Sequence, residues 1–92
     1  MDPKNAEAYY ERGLAFVRGP REYERAMADF DGALALDPSY ALPYYGKGMA
    51  SEAAHHFKEA IAAYQKFIEL AQPKHSEFIQ RARQKIRELA GK

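Results

Sequence analysis

The sequence consists of two similar halves, and this duplication limits the folds open to the chain. Gly13 and Gly48 lie 35 residues apart, whereas Ala26 and Ala60 lie 34 apart, so the first half carries one extra residue near Gly19. The repeated positions are Tyr9, Tyr10, Gly13, Tyr23, Ala26, Phe30 and Ala33, matched by Tyr44, Tyr45, Gly48, Phe57, Ala60, Tyr64 and Phe67. A period of about 34 residues is typical of helical repeat arrays.

Apolar residues recur at helical spacing in five segments, which turn-forming residues separate. We expect helices at about 6–18, 22–36, from about 41, at about 57–70 and at about 77–90. Asn5 and Ser76 are candidate N-caps, Pro43 suits a first turn, and Gly91 is a natural stop. The sequence therefore predicts an all-α fold.

The small residues predict how the helices of each half pack. If the two helices are antiparallel, Gly13 faces Ala26 in the first half and Gly48 faces Ala60 in the second. The missing or short side chains would let the two backbones approach closely, and aromatic residues would fill the space around them.

Composition excludes several classes of protein. The 92 residues suit one small domain, and the absence of cysteine excludes disulfides and thiolate metal sites. A formal charge of +1 gives no net attraction to nucleic acid, and no apolar stretch is long enough for a membrane helix. We expect a cytoplasmic protein with no membrane partner, and the net charge gives no reason to expect a nucleic-acid partner.

These residues resemble the tetratricopeptide repeat family, whose unit places aromatic, glycine, alanine and proline residues in a fixed order. Residues 5–38 and 39–73 resemble two repeats, and residues 76–90 resemble the helix that caps such arrays. The resemblance implies a right-handed superhelical array of antiparallel helix hairpins (an α-α solenoid), forming one domain over residues 1–92. The sequence departs from the family pattern at Arg12, Lys47 and Ser51.

The resemblance also implies a non-catalytic protein-interaction module with a concave face. That face should bind a peptide or an amphipathic helix, because tyrosine and methionine suit varied apolar partners. Its predicted residues are Glu7, Tyr10, Leu14, Val17, Arg18, Leu42, Tyr45, Met49 and Glu52. The alternatives are that these side chains only cover the core, that they pack on further repeats, or that they bury against a second copy of the chain in a structural, self-associating fragment.

The last predicted helix is basic and has two interpretations. Arg81, Arg83, Lys85 and Arg87 are spaced to form a cationic ridge that could bind RNA or an acidic partner. A solvated outer face of a capping helix explains the same residues. Residues 1–40 hold five cations and eight anions, so the ends differ in charge, and self-association into a homo-oligomer is an alternative function.

Metal binding and catalysis have little support. His55 and His56 are adjacent and point in different directions, and His75 completes no recognisable ligand spacing. The chain has no phosphate-binding loop and no catalytic motif. We therefore expect no metal, no cofactor and no enzymatic activity.

The turn at residues 51–56 lacks the glycine that usually supplies a left-handed residue. A non-glycine residue must then adopt that conformation, at a cost of about 1 kcal/mol. This strain raises the hypothesis that the flanking helices fuse and exchange the C-terminal half between two chains.

Overall fold

The computed structural model of the protein describes residues 3–92, which form five α-helices and a short 3-10 turn. The elements are α1 (Pro3–Arg18), α2 (Tyr23–Leu36), α3 (Leu42–Ala53), α4 (Phe57–Leu70), the 3-10 turn (Pro73–His75) and α5 (Ser76–Ala90). The all-α prediction is confirmed. No helix of the described part is long and apolar enough to cross a membrane. Residues 1 and 2 of the expected domain lie outside the described residues.

The expected helix boundaries lie within one residue of the observed ones except at the start of α1, and two expected caps are wrong. α1 begins at Pro3, so Asn5 lies inside the helix and is not its N-cap. Ser76 is the first residue of α5 rather than its cap, because the 3-10 turn leads directly into that helix. Gly91 follows α5 with a φ of −82°, so this helix ends without a left-handed glycine. Pro43 lies in the first turn of α3, as expected.

Both hairpin turns hold a non-glycine residue in the left-handed conformation. His55 has a φ of 64°, which confirms the expectation for the second turn, and Arg21 has a φ of 58° in the first. The backbone N–H of His56 donates to the carbonyl of Ser51 at 2.8 Å. This bond has the spacing of a Schellman motif, whose left-handed residue is usually glycine.

The two helices of each hairpin run antiparallel. Along α1, Arg12 pairs with Asp29 and Gly13 lies against Phe30, while the earlier Tyr9 lies against the later Gly32 of α2. The hairpins α1–α2 and α3–α4 stack through α2 and α3, and α5 packs on α4. This arrangement confirms a helical repeat array, while the right-handed sense of its superhelix stays a prediction.

The helical glycines make room for aromatic rings. A Cβ atom would lie 2.6 Å from the Phe30 ring at Gly13 and 2.5 Å from it at Gly46. At Gly48 it would lie 2.6 Å from the ring of Tyr64. That the glycines also face Ala26 and Ala60 stays a prediction. The closest atoms belong to the two rings, which are fully buried and occupy the space that a Cβ would need.

Candidate functional site

Two of the five α1 residues predicted for the concave face lie in the core. Tyr10 and Leu14 are only 7% and 9% exposed, and the Tyr10 ring lies 6.0 Å from that of Phe30. Val17 is half-buried, while Glu7 and Arg18 are exposed. The accessible part of this face on α1 is therefore one apolar side chain between two charged ones.

The α3 residues of the face divide in the same way. Tyr45 is 6% exposed, and its ring meets those of Tyr64, Phe67 and Phe78 edge-on at 5.4, 5.3 and 5.3 Å. Leu42 and Met49 are half-buried and pack against both core clusters. Phe78 of α5 is one of the three rings that surround Tyr45, and the duplicated pattern did not indicate this contact.

Glu52, the last residue predicted for the face, is held by two other helices. Its Oε1 accepts a hydrogen bond from the hydroxyl of Tyr64 at 3.0 Å. Its Oε2 accepts one from Nζ of Lys85 at 3.2 Å. Both carboxylate oxygens therefore already have partners, and α5 closes the C-terminal side of the predicted face.

The tyrosine hydroxyls near the face stay protonated at neutral pH. Burial raises the pKa of Tyr10 to about 12, helped by Tyr40 and by the carboxylate of Glu11. Burial and the carboxylates of Glu7 and Glu11 raise the pKa of Tyr40 to about 12 as well. The pKa of Tyr45 is also raised by burial, with Arg81 and Lys85 acting in the opposite direction. These hydroxyls therefore add no negative charge to the face at neutral pH.

The two cations that depart from the family pattern form ion pairs that the sequence did not predict. Arg12 donates from Nε and Nη2 to both carboxylate oxygens of Asp29, at 2.9 and 2.7 Å. Lys47 donates from Nζ to Asp31 at 2.7 Å. Each of these cations therefore has an acidic partner on α2.

Comparison with known proteins agrees with this geometry. Residues 41–74, which span α3 and α4, match a family model described as "Tetratricopeptide repeat". The resemblance to the tetratricopeptide repeat family is confirmed, and residues 41–74 form one such repeat. The first hairpin repeats the glycine and aromatic packing of the matched one, with Gly13 against Phe30 where the second has Gly48 against Tyr64.

Two curated proteins share similarity over 68 residues, which is 74% of this chain. One is the "Small glutamine-rich tetratricopeptide repeat-containing protein 2" of Saccharomyces cerevisiae, at 35% identity. The other is the "Serine/threonine-protein phosphatase T" of Trypanosoma brucei brucei, at 34% identity. The matched region spans only 19% and 14% of these two relatives.

A cleft beside the first tetratricopeptide repeat was missed by sequence reasoning. It has a volume of about 300 Å³, and Glu7, Asp37, Tyr40, Leu42 and His75 are among its lining residues. Tyr40 has no counterpart in the duplication, because Lys74 stands 34 residues later. No repeated motif could therefore have pointed to it.

The predicted cationic ridge on the capping helix is only partly free. Arg81, Arg83 and Arg87 are exposed, whereas Lys85 is half-buried and bound to Glu52. The guanidinium of Arg81 lies over the Phe78 ring at 5.7 Å from its centre. The sequence showed that the four cations lie on one helix, but it did not show that the carboxylate of Glu52 binds Lys85.

The histidines of the repeats lie apart from any cluster suited to a metal. His55 and His56 are exposed, and the His55 ring meets that of Phe57 at 5.6 Å. His75 packs on Phe67 at 6.2 Å between ring centres, and its buried Nδ1 has no hydrogen-bond partner among the described residues. Within residues 3–92 the structure shows no group of three His, Cys, Asp or Glu side chains that could hold a metal ion.

Proposed function

We propose that this chain is a non-catalytic module that binds a peptide or an amphipathic helix on the face formed by α1 and α3. Tetratricopeptide repeats generally mediate protein–protein interaction, which supports the broader part of the proposal. The observation that carries the finer part is the set of half-buried apolar side chains at Val17, Leu42 and Met49. In this proposal the two repeats and α5 act as one domain.

The predicted residues take different roles in this binding surface. The half-buried side chains contact the partner, and Met49 adapts its flexible thioether to the partner's shape. Tyr10, Leu14 and Tyr45 form the buried floor beneath them. The remaining charged residues of the predicted set, Glu7, Arg18 and Glu52, flank the apolar surface.

The test separates contact from folding. Neutral amphipathic helical peptides with Leu and Phe on one face and Ser and Gln on the other are labelled with fluorescein and titrated with the chain. We expect Val17→Ala combined with Met49→Ala to weaken binding at least tenfold with unchanged circular dichroism. The matched control is Gln65→Ala combined with Lys66→Ala on the exposed side of α4. Equal affinity of both double variants would contradict the proposal.

Self-association is a second candidate function, because charge is distributed unevenly along the chain. Residues 5–40 carry four Lys or Arg against seven Asp or Glu, whereas residues 73–92 carry six against two. Oppositely charged ends attract weakly, and salt screens that attraction. Light scattering across a wide concentration range should then show a dimer that dissociates as salt is added, and a monomer throughout would exclude this function.

A further inference from the structure

A groove lies on the side of α3 opposite to the proposed peptide face. Ser51 follows Met49 by two residues and is therefore turned by about 200° around the helix. The groove has a volume of about 570 Å³ and runs between α2, α3 and α4. Apolar side chains that line it include Tyr23, Met27, Ala28, Ala50 and Ala54.

The charges around this groove have one sign. Glu24, Asp31 and Glu59 are among its lining residues, and no lysine or arginine is. Asp31 is neutralised by Lys47 at 2.7 Å. Glu24 and Glu59 are exposed and form no salt bridge within the described part of the chain. The groove therefore combines an apolar floor with two free carboxylates.

We propose that this groove is a second docking surface, which takes a basic amphipathic segment of a protein partner. Apolar side chains of the segment cover Met27, Ala28 and Ala54, which removes apolar surface from water. Neighbouring lysine or arginine side chains reach the carboxylates of Glu24 and Glu59. This surface is separate from the proposed face of α1 and α3, so binding at one surface does not depend on binding at the other.

The observations favour such a partner over the other occupants. An acidic segment would meet the unpaired carboxylates and be repelled. A second copy of this chain offers its cations on α5, but the apolar residues of that helix, such as Phe78, Ile79 and Ile86, are packed into its own core. It would therefore bring charge without the apolar side chains that the groove accommodates.

The two carboxylates also have a structural role that the experiment must separate from binding. Glu24 and Glu59 lie in the first turns of α2 and α4, where a negative charge stabilises a helix. Glu77 has the same place in α5 and lies outside the groove. Glu77→Gln together with Glu69→Gln therefore removes two carboxylates, one of them in a first turn, and provides a matched control.

The probe is an 18-residue fluorescein-labelled amphipathic peptide of leucine and lysine, compared with its leucine and glutamate counterpart. We expect the lysine peptide to bind and to shift the NMR signals of Met27, Ala28 and Ala54. Glu24→Gln with Glu59→Gln should weaken it at least tenfold, and the control pair less than twofold. Ala28→Trp should also block binding, because residue 28 lies exposed on α2 at the groove.

Several results would overturn the docking surface. Equal binding of the glutamate peptide, equal loss in the control pair, or full binding by a folded Ala28→Trp variant would each contradict it. Shifts confined to Val17, Leu42 and Met49 would place the peptide on the other face, which supports the proposed function and excludes the groove. If the chain self-associates and the dimer displaces the peptide, the groove binds a second copy of the chain instead.

Discussion

The two repeats place a cation just before a glycine of their first helix, but the cations bind in different directions. In repeat one, Arg12 of α1 pairs with Asp29 of α2, its own hairpin partner. In repeat two, Lys47 of α3 reaches back to Asp31, also on α2. Helix α2 therefore supplies the acidic partner of both cations. Asp29 forms its ion pair within repeat one, and Asp31 forms its ion pair across the junction with repeat two.

The aromatic core shows the same asymmetry. Phe30 of α2 fits against Gly13 of its own repeat and Gly46 of the next, whereas Tyr64 of α4 fits against Gly48 of its own repeat. In repeat arrays the interface between neighbours supplies much of the stability. Here that interface is centred on α2, so changes there should affect both repeats at once.

The largest expected effect comes from filling the space beside Phe30. In Gly46→Ala the new Cβ would lie 2.5 Å from the ring, and a ring pushed away from it meets the backbone at Gly13. We expect a loss of about 1–3 kcal/mol in the free energy of unfolding, as overpacking outweighs the helix propensity of alanine. Urea unfolding followed by circular dichroism measures it.

Gly32→Ala is the control for this prediction. Its Cβ would lie 3.2 Å from the ring of Tyr9, which is 38% exposed and free to move aside. Here the helix propensity of alanine should dominate and leave stability unchanged or raised by up to about 1 kcal/mol. Equal destabilisation by the two substitutions would show that the junction at Phe30 has no special importance.

The second effect distinguishes the two ion pairs. Asp29 is buried, with its side chain 7% exposed, whereas Asp31 has 60% of its side chain exposed. Arg12→Ala leaves a buried carboxylate without its partner, so it should lower the urea midpoint more than Lys47→Ala does. It should also lower the midpoint more than Asp29→Ala, although both break the same bond. Similar midpoints for Arg12→Ala and Lys47→Ala would mean that the buried pair has no greater structural role.

The parts of this structure that sequence could predict depend on local patterns. Four helix ends, the non-glycine residue in the second turn and the all-α fold follow from spacing, proline positions and the absence of glycine. The contact between Tyr45 and Phe78 does not, because it depends on how α5 packs against the second hairpin. A pattern of residues in one helix cannot show which other helix covers it.

The same limit applies to the candidate site. The sequence placed Met49 and Leu42 on the first helix of repeat two, and the structure leaves both half-buried. It missed Tyr40 and the groove of α2, α3 and α4, because these surfaces combine residues from several elements. Ion pairs across helices, such as that of Arg12 and Asp29, were missed for the same reason.

A third effect compares the buried tyrosines of the two repeats. At neutral pH, Tyr64→Phe removes the hydrogen bond to Glu52 and should cost about 0.5–1.5 kcal/mol. Tyr10→Phe should cost less, because the Tyr10 hydroxyl makes no side-chain hydrogen bond within the described residues.

At alkaline pH, Tyr10→Phe should become more stable than the unmodified chain, although it is less stable at neutral pH. Burial raises the pKa of Tyr10 from 10.0 to about 12, so above pH 10 the unfolded chain loses the proton first. Stability is therefore unaffected by this group below pH 10 and falls between about pH 10 and 12. The urea midpoint of Tyr10→Phe should fall less over this range, and parallel pH profiles would contradict the buried position of the hydroxyl.

The smallest effect concerns the two left-handed turn residues. Glycine at Arg21 or His55 would remove about 1 kcal/mol of backbone strain, partly offset by the greater freedom of glycine in the unfolded chain. Arg21→Gly should stabilise more than His55→Gly, because only His55 packs its ring on an aromatic neighbour, Phe57. Arg21→Ala loses the same charge but keeps the Cβ, so it should give no gain in urea unfolding.

If strain at His55 drives exchange of the C-terminal half between chains, His55→Gly should also lower the dimer fraction in light scattering, whereas Arg21→Gly should leave it unchanged. An equal dimer fraction in both variants would show that strain in the turn does not drive self-association. The attraction between the oppositely charged ends of the chain would then be its cause.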